Sequence, residues 1–142
     1  MERNIRRVDY FNTTVKGVPG ESYTFLAQLG DESVNLLAFS AIPLGPESAQ
    51  LSLFPDNVEK MMEISAKEGL TLDGPHPALL VQGDDRLGAV ASIHSRLLDA
   101  GVHVFASTGV TDGAGGFGYI LYVPREEIDR AVSALERQEL HA

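Results

Sequence analysis

The stretch that decides the fold is QGDDRLG, residues 82–88, followed by AVASIHSRLLD, residues 89–99. Before it, the apolar run Ala78 to Val81 predicts a strand. After it, apolar residues recur at the spacing of one helix face: Val90, Ile93, Leu97 and Leu98. Gly101 then follows, as is common just past the end of a helix. The segment therefore predicts a strand, a glycine-bearing turn and a helix.

The chain repeats this pattern. When the sequence is shifted against itself by 68 residues, identical residues coincide: Gly20 and Gly88, Leu29 and Leu97, Asp31 and Asp99, Val34 and Val102, and Ala38 and Ala106. Apolar residues fill nearby positions of the same register, for example Phe25 opposite Ile93. A duplicated unit of about half the chain explains this better than chance. We therefore expect two repeats, residues 1–74 and 75–142.

The first repeat is predicted to run strand, helix, strand, strand, helix and short strand. Its strands are expected at Val8 to Val15, Val34 to Ile42, Gln50 to Leu53 and Leu70 to Leu72. The first helix should end near Gly30, and the second should start after Pro55 with Asp56 as its N-cap. Met61 and Met62 lie on the apolar side of the second helix, which favours a core position over a cofactor contact.

The second repeat is predicted to have the same order, with strands at Ala78 to Val81, Val102 to Val110 and Tyr119 to Val123. Its last helix starts at Pro124 and carries the apolar stripe Ile128, Ala131, Val132 and Leu135. The polar residues 136–142 are poorly suited to a fourth strand, so the N-terminal arm or another subunit would complete the edge. The βαββαβ order predicts an α+β fold of two ferredoxin-like repeats, with antiparallel sheets and both helices on one face.

The turn, the helix and the following GVHV, residues 101–104, closely resemble the ACT domain, a small ligand-sensing module. Val18-Pro19-Gly20 and Val34-Asn35-Leu36 are similar to a second, more diverged copy. In both copies 15 residues separate the turn glycine from the strand residue, Gly20 from Asn35 and Gly88 from His103. The resemblance covers nearly the whole chain and implies a tandem ACT protein.

The turn also has a chemical logic of its own. Glycine at the start of a helix lets a ligand approach the backbone closely. The free N–H groups there, together with the positive end of the helix dipole, favour a carboxylate. The resemblance adds that ACT modules pair side by side, and that a site combines the turn of one copy with a polar residue, often Asn, on the second strand of its neighbour.

Two unequal candidate sites follow from the resemblance. The first joins Asp85, Arg86, Leu87 and Gly88 to Asn35, and the second joins Val18, Pro19 and Gly20 to His103. Glu21 places a negative charge beside the second site, where Ala89 is neutral at the first. We therefore expect the site built on Gly88 and Asn35 to be the functional one.

Structural roles are open for the same residues. Gly20 and Gly88 could serve only the tight turns, and Asp85 could serve only as a helix cap. Asn35 could be a solvent-facing polar residue on a strand. His103 alternates with Val102 and Val104, which favours exposure on a sheet face or at an interface over a ligand contact.

Other motifs lack the context that their chemistry needs. GAGGFG, residues 113–118, matches G-x-G-x-x-G but runs into a predicted strand rather than a helix, which favours a flexible hairpin. The spacing of His76, His94, His103 and His141 is not that of a metal motif. No G-x-S-x-G sequence occurs. We therefore expect no catalytic residue, metal or cofactor.

Composition limits the partners. The 142 residues carry a net charge of −9, which disfavours nucleic acid and anionic membrane surfaces. The basic cluster Arg3, Arg6 and Arg7 is short and flanked by acids, so we expect a solvated N-terminal arm. The chain contains no cysteine and no membrane-length apolar run, which fits a cytoplasmic protein.

These observations and the resemblance together predict a non-catalytic regulatory protein that binds a small molecule, an amino acid by the resemblance. Its partners would be a second copy of the chain, as a homodimer, and a regulated enzyme. Two alternatives stay open: an interaction or scaffold module whose ligand sites have decayed, and a small enzyme on a ferredoxin-like scaffold.

Overall fold

The structure, a computed structural model, describes residues 4–16 and 21–136, without the side chains of residues 21–23. The strands are β1 Asn4–Lys16, β2 Leu36–Pro43, β3 Ser48–Pro55, β4 Asp73–Asp84, β5 Ala106–Thr111 and β6 Gly116–Tyr122. The helices are α1 Glu21–Asp31, α2 Val58–Glu68, α3 Ala89–Asp99 and α4 Ile128–Glu136, with a short 3-10 helix at Arg125–Glu127. Among the described helices, none combines the length and apolarity needed to cross a membrane.

The described chain forms two compact units. Asp9–His76 forms one, and residues 4–8 with 77–136 form the other. Each unit contains two α-helices and antiparallel strands in the order that the periodicity predicts. The predicted α+β fold with the βαββαβ order is confirmed.

In the unit Asp9–His76, β3 lies between β2 and β1 and is antiparallel to both. The first residues of β4 supply its fourth strand beside β1. A Cβ on Gly74 would lie 2.7 Å from the carbonyl oxygen of Tyr10, and the rings of Tyr10 and His76 are 5.3 Å apart. Strands and helices enclose a core of Phe11, Val15, Phe25, Leu29, Val34, Leu51, Leu53, Met61 and Ile64.

In the other unit, β6 lies between β4 and β5 and is antiparallel to both. Residues 4–8 of β1 belong to this unit, where Ile5 packs on the core and Arg7 forms an ion pair with Asp129. The N-terminal segment is therefore the fourth strand that the second repeat lacks. Because Arg6 and Arg7 lie on a strand, the expectation of a solvated arm is wrong, although both side chains are exposed.

Helices α1 and α3 end in the same hydrogen-bonded turn. Val34 N–H donates to Leu29 O at 2.8 Å, and Val102 N–H donates to Leu97 O at 2.9 Å. The left-handed residue of the turn is Ser33 in one unit, with φ 66°, and Gly101 in the other, with φ 73°. Helix α1 ends at Asp31, next to Gly30 as predicted, but Ser33 rather than the glycine takes the left-handed position.

The start of α2 differs from the prediction by one residue. Asn57, not Asp56, is the N-cap, and its side chain accepts a hydrogen bond from Lys60 N–H at 3.0 Å. Asp56 instead accepts from Asn35 N–H at 3.0 Å and donates its own N–H to Asn35 O at 2.8 Å. In the other unit the carboxylate of Glu127 accepts from His103 N–H at 2.7 Å. A carboxylate at the start of the second helix thus holds the backbone just before the second strand in both units.

The predicted strand at Leu70 to Leu72 is wrong. Gly69, with φ 68°, ends α2, and Leu70 N–H donates to Ser65 O at 2.9 Å. Leu70 and Leu72 pack on the core, so their burial does not require a strand. The strand begins at Asp73 and continues through the predicted Ala78 to Val81.

Strand β5 also begins later than predicted, at Ala106 rather than Val102. The residues before it are held by the turn that ends α3 and by the Glu127 carboxylate. The N–H groups of Val102 and His103 are therefore used outside a strand ladder, whereas Phe105 N–H already donates to Tyr122 O on β6 at 3.0 Å.

Single substitutions at the two left-handed positions, Ser33→Gly and Gly101→Ser, should change the free energy of unfolding in opposite directions. Ser33→Gly removes the Cβ strain of the left-handed conformation and should raise the free energy of unfolding by about 0.5 kcal/mol, whereas Gly101→Ser should lower it by about 1 kcal/mol. Urea unfolding followed by circular dichroism measures both. Equal effects of the same sign would contradict this explanation of the turn.

The carboxylate of Glu127 should make stability depend on acid pH. Hydrogen bonds from the backbone N–H and then the side chain of His103 lower the pKa of Glu127 below 4.5. A lowered folded-state pKa contributes stability above the unfolded pKa, and this is lost as pH falls through the folded pKa. Wild type should therefore lose more stability than Glu127→Gln between pH 6 and pH 3, about the range of carboxyl titration. Urea unfolding at each pH measures the free energy of unfolding. Equal losses in the two proteins between pH 6 and pH 3 would refute this role.

Candidate functional site

A cavity of about 900 Å³ opens where β4 turns into α3. Three segments of one unit line it: residues 85–91 of the turn and the first turn of α3, residues 109–111 of β5, and residues 117–119 of β6. Because the volume falls in the range of small-molecule pockets, the cavity is the candidate site.

The turn at the cavity leaves the start of α3 open. Gly88 is the N-cap with φ 81°, and no side chain caps the helix. Ala89 N–H donates to Arg86 O at 3.1 Å, and the first turn of α3 carries no acidic residue. The N–H groups of Val90 and Ala91, both of which line the cavity, therefore receive no side-chain cap. This arrangement favours an anionic group.

Asp85 does not cap α3, which excludes the purely structural role considered for its side chain. Its backbone N–H donates to Gly115 O at 2.8 Å, in the hairpin between β5 and β6. The Asp85 and Arg86 side chains are both exposed, so the turn offers one carboxylate and one guanidinium.

The rest of the lining is mostly apolar. Val90 is 47% exposed, Val110 is 72% exposed, and Leu87 is fully exposed to solvent. Phe117 is half-buried, and Tyr119 is buried. The cavity lining therefore has charged residues at the turn and mostly apolar residues elsewhere.

Tyr119 on β6 contacts two other elements, β5 and α3. Its hydroxyl donates to Ser107 Oγ on β5 at 3.0 Å and lies 2.5 Å from His94 Nε2 on α3. Its ring lies over the cross-strand partner Gly109, where a Cβ would be only 2.8 Å from Tyr119 Cδ1. Sequence reasoning did not predict this cluster, because it gave Tyr119 only as a strand residue and considered His94 only in excluding a metal motif. The pairing of a glycine with an aromatic residue across a hairpin is the signal that could have shown it.

The structure brings together four of the predicted site residues: Asp85, Arg86, Leu87 and Gly88 all line the cavity. Asn35 belongs to the unit Asp9–His76. Its side chain is exposed and makes no hydrogen bond within the described part of the chain, and its backbone is held by Asp56. The pairing of Asn35 with the turn stays a prediction.

The second predicted site is described only in part. Val18, Pro19 and Gly20 lie outside the described residues. His103 is not among the residues that line the cavity. Its side chain is 81% exposed, with Nδ1 3.1 Å from a Glu127 carboxylate oxygen.

The motif GAGGFG is a hairpin, as predicted. It joins β5 to β6, and the carboxylate of Asp112 accepts hydrogen bonds from Ala114 N–H at 2.7 Å and Gly116 N–H at 3.0 Å. These two bonds lower the pKa of Asp112. Within residues 4–16 and 21–136, no group of three His, Asp or Glu side chains could hold a metal ion.

Solved structures show which fold these units share with other proteins. Protein BT0572 from Bacteroides thetaiotaomicron matches 95% of this chain and 90% of its own, with a TM-score of 0.82 and 12% identity. The regulatory subunit of aspartate kinase from Thermus thermophilus matches 95% of both chains, with a TM-score of 0.61 and 13% identity. Aspartate kinase from Clostridium acetobutylicum matches 98% of this chain but 35% of its own, with a TM-score of 0.54 and 16% identity.

No family model matches the sequence, and no curated protein matches it either. At these identities the similar structures show the fold alone. The aspartate kinase regulatory subunits among them are ACT-domain proteins. The resemblance inferred from the turn and its repeat is therefore confirmed at the level of the fold, and the chain has an ACT-type fold.

Proposed function

We propose that the chain is a non-catalytic regulatory protein that binds an amino acid at the turn 85–88. The observation that carries this proposal is the cavity at the uncapped start of α3, where Gly88 adopts φ 81° and a Cβ would meet nothing within 4 Å. Backbone amides are accessible there, and both charge signs are present in the turn.

The chemistry of the turn suits a zwitterion. A ligand carboxylate would accept hydrogen bonds from the N–H groups of Val90 and Ala91, with the Arg86 guanidinium nearby. The ammonium group needs an acceptor, which the Asp85 carboxylate can supply. The ACT resemblance assigns a further acceptor to Asn35, whose exposed amide has no hydrogen bond to other described residues.

Regulation would follow from differential affinity. A ligand shifts a conformational or assembly equilibrium only by the difference between its affinities for the two states. The resemblance implies that ACT modules pair, so we propose a homodimer whose assembly responds to the ligand. A regulated enzyme is the second proposed partner, since this chain matches one third of an aspartate kinase described as allosteric.

Two other functions would give different results. An interaction module with decayed ligand sites would bind no amino acid, and the hydrogen bonds between His103 and Glu127 fit such a loss at the second site. A small enzyme would need an acid or base with a strongly shifted pKa in the cavity. Thermal unfolding with and without amino acids separates the first alternative from the proposal.

Gly88→Val should abolish ligand binding while destabilising the fold no more than the control substitution Gly69→Val. Val at residue 88 or residue 69 meets the same strain, because Gly88 has φ 81°, Gly69 has φ 68°, and no atom lies within 4 Å of either Cβ position. In a thermal-shift screen over the amino acids, a ligand at about 100 times its dissociation constant stabilises wild type by roughly 2.7 kcal/mol. Gly69→Val should keep this shift, and Gly88→Val should lose it.

Two results of the screen would contradict the proposal. If no amino acid shifts the wild-type unfolding temperature, the proposed function fails. If Gly88→Val responds as strongly as Gly69→Val, binding occurs elsewhere.

Asn35 should matter more for binding than His103. Asn35→Ala leaves the backbone hydrogen bonds to Asp56 in place, so unfolding without ligand should change by less than about 0.5 kcal/mol. Affinity should fall about tenfold, the effect of losing one hydrogen bond to a charged ammonium. Isothermal titration of wild type, Asn35→Ala and His103→Ala tests this, and a greater loss in the His103 variant would reverse the assignment of the two sites.

A further inference from the structure

We propose that the cavity selects amino acids with apolar side chains, and that Tyr119 sets this selectivity by presenting its ring as a fixed apolar wall. This inference rests on the proposed ligand site and names the class of ligand that the site prefers. It is carried by the placement of Tyr119 and by the distribution of charge around the cavity.

The hydroxyl of Tyr119 is already occupied. It has two protein partners, Ser107 Oγ at 3.0 Å and His94 Nε2 at 2.5 Å, and the tautomer of His94 decides which group donates in the second contact. Tyr119 itself is 6% exposed and lines the cavity. Because two protein side chains already contact the hydroxyl, the ring is the part of the Tyr119 side chain left to contact a ligand.

The position of the ring depends on Gly109. These two residues are cross-strand partners on β5 and β6, and a Cβ on Gly109 would lie 2.8 Å and 3.3 Å from two ring carbons. Any larger residue at position 109 would force the ring to shift. Gly109 and Tyr119 both line the cavity, so their contact lies at the cavity wall.

Charge is confined to one part of the lining. Asp85 and Arg86 are its charged residues, and both belong to the turn. The strand segments contribute Gly109, Val110, Thr111, Phe117, Gly118 and Tyr119 to the lining. A ligand whose polar head lies at the turn would therefore place its side chain against mostly apolar groups, where no charged residue of the lining can pair with a side-chain charge.

The direct test is isothermal titration of the full chain with leucine, phenylalanine, lysine and glutamate. Leucine or phenylalanine should bind at least tenfold more tightly than lysine and glutamate. If no amino acid binds, the proposed function fails. If charged amino acids bind as tightly as the apolar ones, the site stands but this inference is overturned.

A matched pair of glycine variants tests the role of the ring. Gly109→Ala forces Tyr119 to move, whereas Gly118→Ala places its Cβ in open space on the same cavity lining. Gly109→Ala should weaken leucine or phenylalanine binding at least tenfold, and Gly118→Ala should change it less than threefold. Equal effects would remove Tyr119 from its assigned role.

A second pair of variants covers the case in which Gly109→Ala fails to fold. Val110 and Leu98 are 72% and 77% exposed, so glutamine at either position should leave the fold intact. Val110 lines the cavity and Leu98 does not. Val110→Gln should weaken binding of the apolar amino acid about tenfold and Leu98→Gln should not, whereas unchanged binding in both variants would refute the apolar wall.

Discussion

The rest of each unit depends on the burial of two helices against one face of an antiparallel sheet. In the unit Asp9–His76 the residues with almost no exposure include Leu51 and Leu53 on β3 and Met61 and Ile64 on α2. In the other unit Leu121 on β6 and Leu135 on α4 are fully buried. Removal of apolar surface from water is the main favourable term in folding. Loops and turns can then carry polar groups and open backbone, because the helix–sheet layer supplies the stability.

Two polar interactions then place the backbone that leads into the second strand. Each first helix ends in a left-handed turn, at Ser33 or Gly101, and each second helix begins beside a carboxylate that accepts a backbone N–H. Those N–H groups belong to Asn35 and His103, which are 68 residues apart, the offset of the proposed repeat. Such bonds satisfy backbone donors that a strand ladder does not use. The recurrence supports the proposal that residues 1–74 and 75–142 are copies.

The candidate site lies at a helix start whose backbone N–H groups receive no side-chain cap. Helix α3 begins without a side-chain cap, a feature that normally costs stability, and Gly88 keeps the approach to its amides open. By contrast, the hydroxyl of Tyr119, which also lines the cavity, is already in contact with His94 and Ser107. A polar turn together with a largely apolar lining is the arrangement expected of a pocket that orients a small molecule.

The sequence by itself determined the order of the elements, the ACT-type resemblance and the turn 85–88 that lines the cavity, because helical and strand periodicity and a glycine turn are local properties. It did not determine that Leu70 to Leu72 lack a strand, that Asn57 replaces Asp56 as the cap, or that residues 4–8 complete a unit. Nor did it show the contact between Tyr119 and Gly109. Each of these was decided by the tertiary structure, because the choice depends on which distant backbone groups and side chains meet, and spacing along the chain does not specify that.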